Sequence, residues 1–358
     1  MPASRLDVTD PSALLRDVLL EAARGRGAAS VSVIALSGAE PETFWVPDSA
    51  HEPEFLAYSI TKTFTASLVL MFCEQQRLHL HDSLATWFPS IAHADRISVR
   101  RLLDHTAGIP DYGRIRAYHD ELRAHPEAPW TFERFAAETF GKGLQFEPGL
   151  GWAYSNPAYM LLKRILEDVS ARSYRELVAE RIARPLGLAR TFVPESIPDL
   201  AGLAPGTSCA LSADGSPRDV RAHYHPGWVS HGVVASTASD IVRFFDALVH
   251  GRLLSQRSLD AMMTLVRVPV ERDAGAAPSS SPLRMTAPSY GLGLMGDPAS
   301  PWGLLLGHNG GGPCYSASAF HARDLGGVSV CAMGAIEEGF SAEEIVARVL
   351  DSTLQMRR

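Results

Sequence analysis

The β-like runs of this 358-residue chain lie near its two ends, and helical patterns fill the distance between them. Near the start, SVSVIALSG (30–38) alternates, and ETFWVPD (42–48) reads as its hairpin partner across Gly38 to Pro41. Near the other end come SYGLGLM, WGLLLGH, YSASAFHA and GVSVCAMG. Segments so far apart share one sheet only if the intervening chain leaves and returns. The simplest packing is one antiparallel sheet formed from both chain ends, flanked by helices, with an inserted mainly helical lobe. The expected fold is α/β, in a single two-lobed domain. The α/β lobe takes about 1–75 and 230–358, and the helical lobe about 76–229. A cleft between two lobes is a favoured place for a site.

The helical patterns are well punctuated. Leu14, Leu15, Val18 and Leu19 recur at helical spacing. Residues 59–77 are apolar on nearly all sides, as in a buried helix. ISVRRLLDHT, TFERFAAETF and NPAYMLLKRILEDVS follow, the last expected to start with Asn156 as cap and Pro157 at the first position. Further helices are expected through TASDIVRFFDALVHG, SQRSLDAMMTL and the closing SAEEIVARVLDSTLQ. DAGAAPSSSPLRMTAPS (273–289) has the composition of a loop or disordered excursion.

Bulk composition narrows the function. An apolar fraction of 46% supports a sizeable core, so a mainly disordered chain is excluded. A net charge of −7 without a basic run argues against nucleic-acid binding. No apolar stretch reaches 18 residues, so no membrane helix is expected. The first residues lack the basic and apolar regions of a signal peptide, and a cytoplasmic location is expected. Cys73, Cys209, Cys314 and Cys331 are far apart and expected as free thiols. Several motifs are decoys. GLGLMG matches a dinucleotide fingerprint but runs into Pro298 rather than a helix. His79/His81 and His223/His225 could each pair two imidazoles, but a metal needs a third ligand and Asp82 beside the first pair is the one obvious carboxylate, so surface histidines are expected and neither metal nor cofactor. There is no GxSxG elbow.

Three short segments carry chemistry. In Ser59-Ile60-Thr61-Lys62, helical spacing brings the hydroxyl and the amine onto one face. Serine is a weak nucleophile without an adjacent base, and a lysine whose pKa is lowered can serve, whereas arginine stays protonated. The 33 basic residues include only three lysines, so Lys62 stands out. Tyr154-Ser155-Asn156 offers a phenol whose pKa a lysine ammonium can lower, and an amide that can bind a substrate amide. Leu306 to Gly312 reads as a strand ending in His308, Asn309 and three glycines, where backbone N–H groups can form part of an oxyanion hole. Both asparagines of the chain, Asn156 and Asn309, fall in these segments. Each segment alone also fits an ordinary cap, packing residue or turn.

Together, in this order and spacing, Ser-x-x-Lys, Tyr-x-Asn and His-x-Gly resemble the serine β-lactamase and penicillin-binding-protein-like hydrolases. The resemblance is to class C β-lactamases, DD-peptidases, D-aminopeptidases and related esterases. It runs from about Val31 to the last helix and includes ISVRRLLDHTAGIPDY, FEPGLGWAYSNPAYMLLKRILEDVS and GVVASTASDIVRFFDALVHGRLLS. It implies a β-lactamase-like fold. It also implies Ser59 as acylated nucleophile, with Lys62 and Tyr154 sharing general acid and base work. Asn156, His308, Asn309 and Gly310 would bind substrate, and the N–H groups of Ser59 and Gly311 would form the oxyanion hole. The implied activity is hydrolysis of a small ester, amide or peptide through an acyl-enzyme. A biosynthetic acyltransferase or peptide-cyclising enzyme uses the same acyl-serine, and a ligand-binding sensor on this scaffold is a third reading.

Overall fold

A computed structural model describes residues 11–269 and 281–357. The sheet it contains has eight antiparallel strands: β1 (Ala29–Ile34), β2 (Glu42–Val46), β3 (Val266–Arg267), β4 (Ser289–Tyr290), β5 (Met295–Ser300), β6 (Gly303–Gly311), β7 (Tyr315–Ala322) and β8 (Val328–Ala335). Their order across the sheet is β2-β1-β8-β7-β6-β5-β4-β3. The two chain ends meet where β1 pairs with β8, Ala29 opposite Gly334 and Ile34 opposite Ser329. β2 pairs with β1 as the proposed hairpin. The sheet therefore comes from both ends of the chain, as the pattern predicts.

Every residue of β8 is buried, because helices cover both faces of the sheet. Alternation divides this strand between two cores. Val328, Val330 and Ala332 pack with Leu15, Val18 and Leu19 of α1 (Pro11–Ala23) and with α5 (Ala342–Met356). Cys331 and Met333 face the larger core, which contains α2 (Thr61–Glu74), α3 (Asn156–Ser170) and α4 (Ala238–Val249). Phe64 of α2 stacks on Phe244 of α4 with ring centroids 3.8 Å apart. Residues 75–235 contribute many short helices and turns to this second core, together with a small sheet of Thr207–Ser208 and Arg218–Asp219.

α2 is buried from Thr61 to Leu70, and its polar side chains are matched inside the core. Thr61 Oγ1 accepts from Val234 N at 2.8 Å, Thr63 Oγ1 donates to Gly293 O at 2.7 Å, and Thr65 Oγ1 meets the Tyr174 hydroxyl at 2.8 Å. Gly293 belongs to the glycine-rich segment set aside as a fingerprint. It turns between β4 and β5 with φ +73°, and a Cβ there would stand 2.5 Å from Ala66 Cβ. Its role is to let the turn press onto α2. His79 and His81 lie in an exposed turn rather than on a strand, and His223 bonds Asp219 O within its own turn. All four cysteines are free. Among the described residues no helix is long and apolar enough to cross a membrane. The 273–289 excursion lies in part outside the described residues.

Candidate active site

Ser59 sits in a single 3₁₀ turn, Tyr58–Ile60, immediately before α2 begins at Thr61. The periodicity of 59–77 predicts one helix; the chain instead enters it through this tighter turn. Tyr58 has φ +43°, a region costly for a residue with a side chain. Its hydroxyl donates to Pro313 O at 2.9 Å, which ties the turn to the end of β6. Glycines permit the close approach. A Cβ on Gly310 would stand 2.1 Å from Ala57 O and 3.3 Å from Ser59 N, and one on Gly312 would strike the Tyr58 ring at 2.4 Å. The Ser59 amide is thus brought against the last residues of β6, while nothing lies within 4 Å of where a Gly311 Cβ would be.

Lys62, the second residue of α2, is fully buried. Its Nζ lies 3.1 Å from Ser59 Oγ, donates to Asn156 Oδ1 at 2.7 Å, and meets His231 Nε2 at 2.6 Å. Burial pulls its pKa well down, partly opposed by the Asp111 carboxylate. On the other side of Ser59, the Tyr154 hydroxyl donates to Oγ at 2.8 Å. Burial raises the Tyr154 pKa well above the ordinary phenol value. The sequence reading expects the opposite, a phenol acidified by a lysine ammonium. The difference is physical: with the amine itself driven toward neutrality, desolvation outweighs the remaining charge.

Asn156 is free to reach Lys62 because it does not cap α3. Ser155 is the cap, its hydroxyl accepting from Ala158 N at 3.2 Å, one residue earlier than the sequence suggests. The Asn156 amide, an unpaired first-turn donor, binds Asp111 Oδ1 at 2.8 Å, an anion well placed at a helix N-terminus. His105 organises the loop bearing Tyr154. Its Nδ1 accepts from Ser155 N at 3.2 Å, and its ring lies 4.5 Å from that of Tyr154 and 4.6 Å from that of Tyr290.

β6 divides its two polar residues between the faces of the sheet. His308 faces the cluster, 2% exposed, with Nδ1 donating to Asn309 O at 2.6 Å and Nε2 accepting from the Tyr290 hydroxyl at 2.9 Å. Burial, with Lys62 adding to it, lowers its pKa to about 3, so the ring is neutral. Asn309 faces the other way, donating to Glu343 Oε1 on α5 at 2.7 Å. The geometry thus brings Ser59, Lys62, Tyr154, Asn156, His308 and Gly310 together and leaves the Asn309 side chain on the far side of the sheet. The expectation that Asn309 binds substrate is corrected by strand alternation. His231, Asp111, His105 and Tyr290 join the cluster without having been singled out in the sequence. None has a fixed spacing to Ser59; Asp111 and His105 lie inside ISVRRLLDHTAGIPDY, whose resemblance is the one available signal.

The profile of the Beta-lactamase family matches residues 48–333. Penicillin-binding protein 4* of Bacillus subtilis (strain 168) is 29% identical over 270 residues, 72% of this chain and 55% of the relative. D-aminopeptidase of Brucella anthropi is 26% identical over 277 residues, 74% of this chain and 46% of the relative. The chain spans about half the length of the curated relatives it matches. Among solved structures, a D-stereospecific amidohydrolase from Streptomyces sp. superposes with a TM-score of 0.77 at 27% identity, covering 94% of this chain and 97% of that one. The D-amino acid amidase of Ochrobactrum anthropi SV3 shares the fold, with a TM-score of 0.78 at 23% identity over 98% of this chain and 100% of that one. This chain belongs to the β-lactamase family, among the serine β-lactamase and penicillin-binding-protein-like hydrolases.

Proposed function

We propose that the protein hydrolyses a small amide, peptide or ester through an acyl-enzyme on Ser59. One observation carries this reading: Ser59 Oγ stands between Lys62 Nζ at 3.1 Å and the Tyr154 hydroxyl at 2.8 Å. The neutral Lys62 amine takes the Oγ proton as Oγ attacks the carbonyl carbon. Negative charge on the tetrahedral oxygen rests on the N–H groups of Ser59 and Gly311. Tyr154, kept protonated, gives its proton to the leaving group and recovers one from Lys62. Water then attacks the ester, with Lys62 and Tyr154 reversing these roles. Asn156 holds Lys62 and faces the substrate amide. His308 and Tyr290 form a neutral wall.

Amide and peptide substrates fit best with the amidohydrolase, aminopeptidase and amidase relatives, and D-configured residues are the first class to test. The experiment is a panel of D- and L-aminoacyl amides, acyl-D-alanyl peptides, p-nitrophenyl esters and a chromogenic β-lactam, run on wild type and Ser59→Ala. Turnover of a D-amino acid amide or peptide by wild type alone is expected. Turnover confined to L-configured substrates removes the stereochemical part. No turnover of any member, or equal turnover by Ser59→Ala, removes the hydrolase reading.

A further inference from the structure

His231 has the geometry of a component of the site, and neither the family motifs nor the sequence reading assigns it a role. It is 2% exposed. Its Nδ1 lies 2.6 Å from Gly232 O, and a carbonyl oxygen can only accept. The proton is therefore on Nδ1, and Nε2 presents a lone pair to Lys62 Nζ at 2.6 Å. The segment around it is fixed. Val234 N donates to Thr61 Oγ1 at 2.8 Å, Ala57 N donates to Val234 O at 2.8 Å, and Gly232 N donates to Val229 O at 2.8 Å. Gly232 has φ +81°, and a Cβ there would meet the Tyr174 ring at 3.2 Å.

Two fixed acceptors therefore face the amine, Asn156 Oδ1 and His231 Nε2. A neutral amine has two N–H bonds and one lone pair. When both N–H bonds are taken, the lone pair is left toward Ser59 Oγ, where it can accept a proton. After the transfer, all three N–H bonds of the ammonium still have acceptors. We infer that His231 is a positioning residue that aims the Lys62 lone pair at the Ser59 hydroxyl, an inference that rests on the acyl-enzyme reading. His231 does not hold the proton itself. Burial, and next the charge of Lys62, keep its pKa well below the ordinary imidazole value.

The surroundings on all sides are defined. Lys62 is faced by Ser59, Asn156, His231 and the rings of Tyr154 and Tyr159 at 4.8 and 5.6 Å, with Asp111, His105 and His308 at longer range. His231 is faced by Lys62 and the Tyr159 ring at 6.5 Å, with His308, His105 and Lys163 contributing charge when protonated.

The test is the rate of Ser59 labelling by a fluorophosphonate across pH, on full-length wild type, His231→Leu, His231→Asn and His231→Gln. Leucine removes the acceptor, asparagine keeps the donor to Gly232 but does not reach Nζ, and glutamine restores an acceptor near the Nε2 position. Leucine and asparagine are expected to slow labelling roughly tenfold or more. They also move the acid limb of the profile to lower pH, because the ammonium loses an acceptor. Glutamine keeps the limb in place and the rate within about threefold of wild type. The inference is overturned if leucine and asparagine leave rate and limb unchanged. It is also overturned if all three variants slow equally with the limb unmoved, the signature of packing alone. Failure of wild type to label at Ser59 overturns the acyl-enzyme reading, and this inference with it.

Discussion

The two faces of the sheet are made from the same strands and do different work. The face toward α1 and α5 is apolar packing of Leu15, Val18, Val330, Ala332, Val346 and Leu350, with the Asn309–Glu343 bond as a polar tie. The face toward α2 holds the buried titratable groups Lys62, His231, His308 and His321, with the partly buried Tyr154 beside them. The division passes between adjacent residues, since His308 joins the cluster and Asn309 joins the packing. Burial stabilises the far face by removing apolar surface from water. On the near face it moves proton affinities, which is what a lysine base requires.

The largest effects that test this division belong to the near face. Lys62→Arg keeps a long basic side chain but stays protonated where the lysine amine is neutral, so kcat/KM is expected to fall about 10²–10⁴-fold with the fold retained by circular dichroism. A smaller loss would break the claim that a neutral amine is needed. On the far face, Leu350→Ala should cost about 2–5 kcal/mol in denaturant unfolding and leave kcat/KM unchanged where the protein is folded. Asn309→Ala sharpens the boundary. It removes the donor to Glu343 and should cost about 1–3 kcal/mol, with activity within a few-fold of wild type. A large loss of activity with little loss of stability would return Asn309 to the site.

The smallest expected effect is on stability against pH. Burial lowers His308 to about 3 and His321 to about 4, against 6.5 for an unperturbed imidazole. The unfolded chain therefore binds more protons between these values. Stability from keeping the rings neutral is fully present above about pH 6.5 and is lost as pH falls toward 3 to 4. His321 lies on the near face but outside the Ser59 cluster, with Nδ1 at 2.9 Å from Ser329 Oγ. His321→Gln should flatten the acid slope by about 1 kcal/mol per pH unit between pH 6 and 5. An unchanged slope would show that its ring is not held neutral.

Much of this division is legible in the sequence. Strand-like runs at both chain ends point to one shared sheet, in which the structure pairs β1 with β8. Ser59 and Lys62 share a spacing that helix geometry explains, and Tyr154 is reached through the resemblance of its Tyr-x-Asn motif. The rest depends on contacts between distant segments. His231 lies 169 residues after Lys62, and no local pattern marks it. Asn156 reads as a cap because Asn-Pro opens many helices; Ser155 takes that role and releases it. Asn309 misleads for a related reason, since adjacency to His308 in a strand places it on the opposite face. The direction of the Tyr154 shift is also a tertiary property, set by the desolvation of its hydroxyl among distant segments.

The central claim is that Ser59 is the acylated nucleophile. Intact-mass spectrometry after incubation with a fluorophosphonate or an activated ester tests it most directly, with peptide mapping to locate the adduct. The account predicts one adduct on wild type, on the peptide containing Ser59, and none on Ser59→Ala. No adduct on wild type, or the same adduct on Ser59→Ala, would contradict it.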